Sequence, residues 1–153
     1  MKFYTDGSMI GLQKGSPVIG WAAVCNFGLV TCGNRKGGTN TNSEMLAIKD
    51  CLFSLKNEKS YLIEKENIIE IVTDSRVSIQ IINSFLKNPD IFDINTNENY
   101  MIASHIIYYI KYFKEKGKKV VFTKVQGHNN NLGNHFADYV ANTMSEKLTI
   151  LWR

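Results

Sequence analysis

The stretch Ile68-Ile69-Glu70-Ile71-Val72-Thr73-Asp74-Ser75 decides the fold. From Ile68 to Thr73 it is apolar almost without interruption, which reads as a strand covered on both faces. Such a strand belongs to a sheet with helices on both sides. Downstream, Ser75 to Lys87 predicts a helix and Asn88 to Asn97 a loop. Glu98 to Lys116 predicts a longer amphipathic helix carrying Ile102, Ile106, Ile110 and Phe113, with Gly117 as its stop. Lys119 to Val125 reads as a strand, Gln126 to Gly133 as an Asn-rich loop and Asn134 to Ser145 as a last helix. Lys147 to Arg153 carries no readable pattern.

Upstream, Lys2 to Ser8 reads as a short strand ended by a turn that begins at Asp6-Gly7. Ile19 to Asn26 and Leu29 to Gly33 read as two more strands, joined tightly through Asn26-Phe27-Gly28. A helix capped by Asn42 or Ser43 then runs to about Lys56. The order βββαβααβα predicts an α/β fold: a five-stranded mixed sheet, three antiparallel strands then two further ones, with helices on both faces.

The 153 residues, 44% hydrophobic and 21% charged, describe an ordinary globular chain, and with no repeat and no Pro- or Gly-rich linker residues 1–153 are expected to form a single domain. Cys25, Cys32 and Cys51 include no Cys-x-x-Cys pair, which argues against a disulfide framework or a structural zinc site. Eighteen basic and fourteen acidic residues leave a net charge of +4, which permits a polyanion partner without requiring one. The N-terminus lacks the apolar core of a signal peptide, and no apolar run is long enough for a membrane span. A cytoplasmic location with no membrane partner is expected.

Four acidic residues stand where carboxylates need an explanation. Glu44 heads the apolar stripe Ile48, Cys51, Leu55, although a first-turn Glu also favours the helix dipole. Asp74 ends the apolar strand, where α/β sheets place functional groups, although Asp74-Ser75 also suits a helix cap. Asp6 ends the first strand, where Asp6-Gly7 also suits a turn. Asp138 lies beside the stripe Ala137, Val140, Ala141, Met144, where a solvated flank is the plain alternative.

Taken together, their surroundings resemble one family. Tyr4-Thr5-Asp6-Gly7-Ser8, Thr39-Asn40-Thr41-Asn42-Ser43-Glu44, Val72-Thr73-Asp74-Ser75, Val125-Gln126-Gly127-His128 and Asn134-His135-Phe136-Ala137-Asp138 resemble the ordered motifs of type 1 ribonuclease H, over about residues 3 to 145. The resemblance implies the ribonuclease H-like fold and a metal-dependent endonuclease. Such an enzyme cuts the RNA strand of RNA/DNA hybrids to 5′-phosphate and 3′-hydroxyl ends by a two-metal-ion mechanism. Asp6, Glu44, Asp74 and Asp138 match the four metal-binding carboxylates. Asp6 would bridge two Mg²⁺ ions, with Mn²⁺ as a substitute. Asp138 would complete the ion that activates water, and Glu44 and Asp74 would hold the ion on the leaving-group side. His128 matches a histidine that aids proton transfer or product release, Asn40 a residue at the RNA 2′-hydroxyl, and Thr39 one at a DNA phosphate. His105, outside any motif, reads as structural.

Hard oxygen ligands suit Mg²⁺ or Mn²⁺, and two such ions clamp both oxygens of an in-line displacement, so no side-chain nucleophile is needed. The lysines 111, 114, 116, 118, 119 and 124 suit either a solvated surface or a backbone-binding patch.

Four departures from the family stand out. Leu12 occupies the place of an RNA-contacting Asn, His135 that of a Glu, and Asn130 that of the second Gly in Gly-His-x-Gly. Asp90 and Asp93 lie where some members carry a basic protrusion, which predicts modest hybrid affinity with a marked salt dependence. A monomer is expected, and Met1 so near the first strand suggests a free-standing protein, although association with a polymerase or reverse transcriptase is a further reading. The rivals are another nuclease of the same fold, an exonuclease or a resolvase, and a non-catalytic hybrid-binding module.

Overall fold

A computed structural model of the chain describes residues 1–11, 15–90, 93–126 and 131–151. Five strands form one sheet: β1 (Lys2–Ile10), β2 (Val18–Cys25), β3 (Gly28–Lys36), β4 (Ile68–Thr73) and β5 (Lys119–Lys124), in the order β3-β2-β1-β4-β5. β1 to β3 pair antiparallel, whereas β4 and β5 are parallel to β1. The helices are α1 (Asn40–Asn57), α2 (Arg76–Lys87), α3 (Glu98–Glu115) and α4 (Leu132–Leu151), with a short 3-10 turn at Ser60–Leu62. The predicted order and mixed sheet are those observed.

Every residue of β2 is buried, because this strand has a helix layer on each side. Its alternate residues Ile19, Trp21, Ala23 and Cys25 join the main core with Phe3 of β1 and the inner faces of α1, α2 and α3. Trp21 Nε1 adds a tie across this layer by donating to Asp50 Oδ2 on α1 at 2.7 Å. The opposite side of β1 and β2 is covered by α4. There a Cβ on Gly20 would lie 2.5 Å from both Ala141 O and Ser145 N, so the helix backbone rests directly on the strand. Ser8 Oγ of β1 completes this contact, donating to Asn142 Oδ1 at 2.6 Å.

Several predicted boundaries shift, each for a local reason. β1 continues through Asp6-Gly7 to Ile10, since both residues pair with β2, opposite Ala22 and Trp21; they are not a turn. β3 likewise extends to Lys36 along its pairing with β2. α1 is capped by Thr39 and not by Asn42 or Ser43. The Thr39 hydroxyl accepts from Asn42 N–H while the Asn42 side chain accepts from Thr39 N–H, a capping box closed by Asn. Ser75 caps α2 through Ser78 N–H. Asn131 Oδ1 accepts from Asn134 N–H at 3.0 Å and starts α4 earlier than Asn134, and the helix runs past Ser145 to Leu151. α3 ends as expected at Gly117, whose φ of +77° suits glycine.

Among the described residues, no helix is long and apolar enough to cross a membrane.

Candidate active site

β1 and β4 form ladder pairs over Lys2–Tyr4 and Glu70–Val72. The offset is 68 (72 − 4), so Asp6 and Asp74 (6 + 68) stand level, two places beyond the last pair. From here the chain leaves β1 toward β2 on one side and β4 toward β5 on the other. This is the switch point at the carboxyl ends of parallel strands, where α/β sheets open a crevice.

Asp6 lies on the side of β1 that faces α4, as Ser8 does. Glu44 reaches the same place from α1. It does so because residue 7 is glycine: a Cβ there would lie 2.3 Å from Ser43 Oγ and 2.6 Å from Glu44 N, so only glycine lets α1 settle this close to β1. The Thr39 cap also moves Glu44 out of the first turn of α1, which removes the helix-dipole explanation for its presence.

Asp6, Glu44 and Asp74 each offer an oxygen within 4.8 Å of the others. Asp138 shares a hydrogen bond with Asp6 and, with those three, Gly7, Asn40, Asn134 and His135, lines a cleft of about 180 Å³. Asp6 is only 4% exposed and Glu44 6%. Burial first, then the Asp74 charge and the contact with Asp138, push the Asp6 carboxyl up to about 8. Burial, followed by the charges of Asp6 and Asp74, holds Glu44 well above the usual carboxylate range.

Two ionised carboxylates about 4 Å apart repel by roughly 4 kcal/mol at an effective dielectric of 20, so this cluster calls for protons or cations. The donors fit a hard divalent cation. All four acids offer oxygen, and Glu44 Oε2 and Asn134 Oδ1 are buried without a hydrogen-bond partner among the described residues.

The residue-by-residue outcome is uneven. Asn40 lines both this cleft and an adjoining one that also contains Arg76. Thr39 sits at the head of α1, with its hydroxyl accepting the cap bond. His128, Leu12 and Asn130 lie outside the described residues. His105 is exposed on α3, its imidazole lowered by burial and by the Lys49 charge. Asp93 caps its own turn by accepting from Asn95 N–H. The lysine group divides: Lys119 pairs with Ile68 at the far end of the sheet, whereas Lys124 pairs with Thr73, next to Asp74. Sequence reading passed over Asn134, whose signal was its i, i+4 relation to Asp138 on a helix, and Arg76, which had none.

The RNase H family model matches residues 1–146. The chain belongs to the RNase H family. Its similarity to type 1 members is the one that the motifs suggested. RNase H1 of the halophilic archaeon Halobacterium salinarum is 20% identical with a TM-score of 0.62, the match covering 95% of this chain and 97% of that one. The foamy viral protease-reverse transcriptase, solved in complex with dsDNA, gives a TM-score of 0.70 at 17% identity over 95% and 94%. LC9-RNase H1, a type 1 RNase H with the type 2 active-site motif, gives 0.68 at 15% identity over 95% and 72%. At such identities these structures speak for the fold. A search among curated proteins finds no match.

Proposed function

We propose that the chain is a divalent-cation-dependent endonuclease that hydrolyses the RNA strand of RNA/DNA hybrids, leaving 5′-phosphate and 3′-hydroxyl ends. The observation that carries this reading is the convergence of Asp6, Glu44 and Asp74 within 4.8 Å at the strand switch point of a chain in the RNase H family. Asp6, Glu44, Asp74 and Asp138 would hold two cations, Mg²⁺ or Mn²⁺. Bound there, the cations supply charge compensation for the phosphodiester and a water of lowered pKa.

The protein's own groups provide the remainder. Burial of Asp6 and Glu44 limits competing solvent, and the Gly7 N–H, donating to Asp6 Oδ1 at 2.9 Å, sets the orientation of that carboxylate. Asn40, at the cleft rim on the first turn of α1, is suited to read the RNA 2′-hydroxyl, the group that separates RNA from DNA. Thr39 beside it is assigned to a DNA phosphate, with a hydroxyl hydrogen to donate while its oxygen serves the cap. His128 is assigned to proton transfer or product release. A binding module without catalysis gains nothing from four carboxylates beside a phosphate backbone.

Labelled RNA/DNA hybrid, duplex RNA and single-stranded RNA, each incubated with Mg²⁺ and with chelator, test the proposal. Cleavage confined to the RNA strand of the hybrid, and abolished by chelator, is expected. Cleavage of single-stranded RNA, or cleavage that survives the chelator, would overturn it.

A further inference from the structure

The first turn of α4 brings a group to the carboxylate cleft that differs in kind from the others. His135 lines the cleft with Asp6, Glu44, Asp74 and Asp138, the one histidine to do so among the described residues. His135 and Asp138 are three residues apart on α4, a spacing that sets two side chains on one helix face with Cβ atoms about 5–6 Å apart. Carboxylate and imidazole ligands projected inward from di-metal helix bundles use the same i, i+3 spacing. His135 N–H is committed to Asn131 O at 3.0 Å, whereas its ring makes no hydrogen bond among the described residues. Independently, Asn134, 4% exposed, and Glu44 line this cleft, and Asn134 Oδ1 and Glu44 Oε2 have no hydrogen-bond partner among the described residues, so the cavity holds unused ligand oxygens.

We propose that His135 supplies a nitrogen donor to the cation site and thereby biases it toward Mn²⁺ over Mg²⁺. The inference rests on the cation-dependent reading above. Its chemistry is that of ligand softness. Mg²⁺ keeps an oxygen shell, largely of water, and gains little from an imidazole, whereas the first-row transition ions accept nitrogen readily. Neutral imidazole in place of one more carboxylate also lessens the repulsion within the cluster, which lowers the attraction for either ion but leaves the nitrogen contribution to Mn²⁺ alone. A ring on an exposed helical turn can reach the cleft without disturbing the core.

Mn²⁺ itself is the probe. The full chain without nucleic acid is titrated with Mn²⁺ while the free-ion electron paramagnetic resonance signal is followed. Mg²⁺ affinity is read by competition, and pulsed measurements detect ¹⁴N coupled to the bound ion. The proteins are wild type, His135→Ala, His135→Glu, His128→Ala and Asp6→Asn, with circular dichroism to show that each is folded. Wild type and His128→Ala are expected to show imidazole ¹⁴N coupling, and both His135 variants to lack it. His135→Ala should lose about tenfold in Mn²⁺ affinity with Mg²⁺ affinity nearly unchanged, in line with the sensitivity of metal sites to their ligand shells. His135→Glu should narrow the Mn²⁺ to Mg²⁺ preference.

Binding that depends on Asp6 but shows no ¹⁴N coupling, or an ion preference unchanged in His135→Ala, would overturn the role of His135 while the cation site stands. Coupling lost in His128→Ala and kept in His135→Ala would overturn it too, by assigning the nitrogen to His128. Binding as tight in Asp6→Asn as in wild type would remove the cation site and, with it, this proposal.

Discussion

Asp6 and Glu44 are acids held in a place that disfavours their charge, and this makes stability without metal a function of pH. Asp6 moves from an ordinary 3.8 to about 8 on folding, so between those values the folded state binds more protons than the unfolded one. Stability therefore falls as pH rises across that window. In chelator, the midpoint of thermal unfolding should drop between pH 5 and pH 8, and Mg²⁺ or Mn²⁺ should recover more of it at pH 8. Asp6→Asn should abolish cleavage, and without metal it should outlast wild type at pH 8 by a margin that shrinks at pH 5. A wild-type rate of cleavage in Asp6→Asn would show the assignment of Asp6 to be wrong. Gly7 acts on the same site through space alone. In Gly7→Ala the new methyl meets Ser43 Oγ at 2.3 Å and the Glu44 backbone at 2.6 Å, so the start of α1 must retreat. A loss of about 1–3 kcal/mol in urea unfolding is expected, as for other overpacked contacts, together with weakened cation binding.

At the scale of elements, α1 shows what the amino-acid order reveals and what it hides. Its hydrophobic stripe identified the helix, yet its start lies at Thr39, because Asn42 closes a capping box usually completed by Glu or Gln. Thr39→Ala should cost about 1 kcal/mol in chemical denaturation and Thr39→Ser should restore it. If Thr39 also holds a DNA phosphate, the alanine variant should in addition raise KM for hybrid. The element order and the apolar strand Ile68–Thr73 were legible because burial on both faces leaves a pattern in composition. The ends of β1 and α4 were not, since they depend on partners far along the chain: Gly7 pairs with Trp21, and Asn131 caps α4 from within a loop. The four carboxylates were found through motif wording, whereas their meeting point depends on where β1 and β4 stop pairing, which no local signal records.

For the whole molecule, the arrangement of charge matters more than the net +4. Lys119 and Lys124 lie at opposite ends of β5, about 17 Å apart for five strand steps. Lys124→Gln should therefore weaken hybrid binding and lower the slope of log affinity against log salt by about one, while Lys119→Gln should leave both nearly unchanged. Titrations over a salt series check this, and equal effects from the two variants would place the hybrid elsewhere. The packing of α4 against β1 also governs when the site comes into being during synthesis. Ser8 meets Asn142 across 134 residues of chain, and α4 covers the side of β1 that carries Asp6. A growing polypeptide can close the β1–β2–β3 meander early, since those pairings are local. Its acidic cleft, however, must wait until Asp138 has left the ribosome, so nascent chains that stop short of α4 carry an open sheet face and an incomplete set of the four carboxylates.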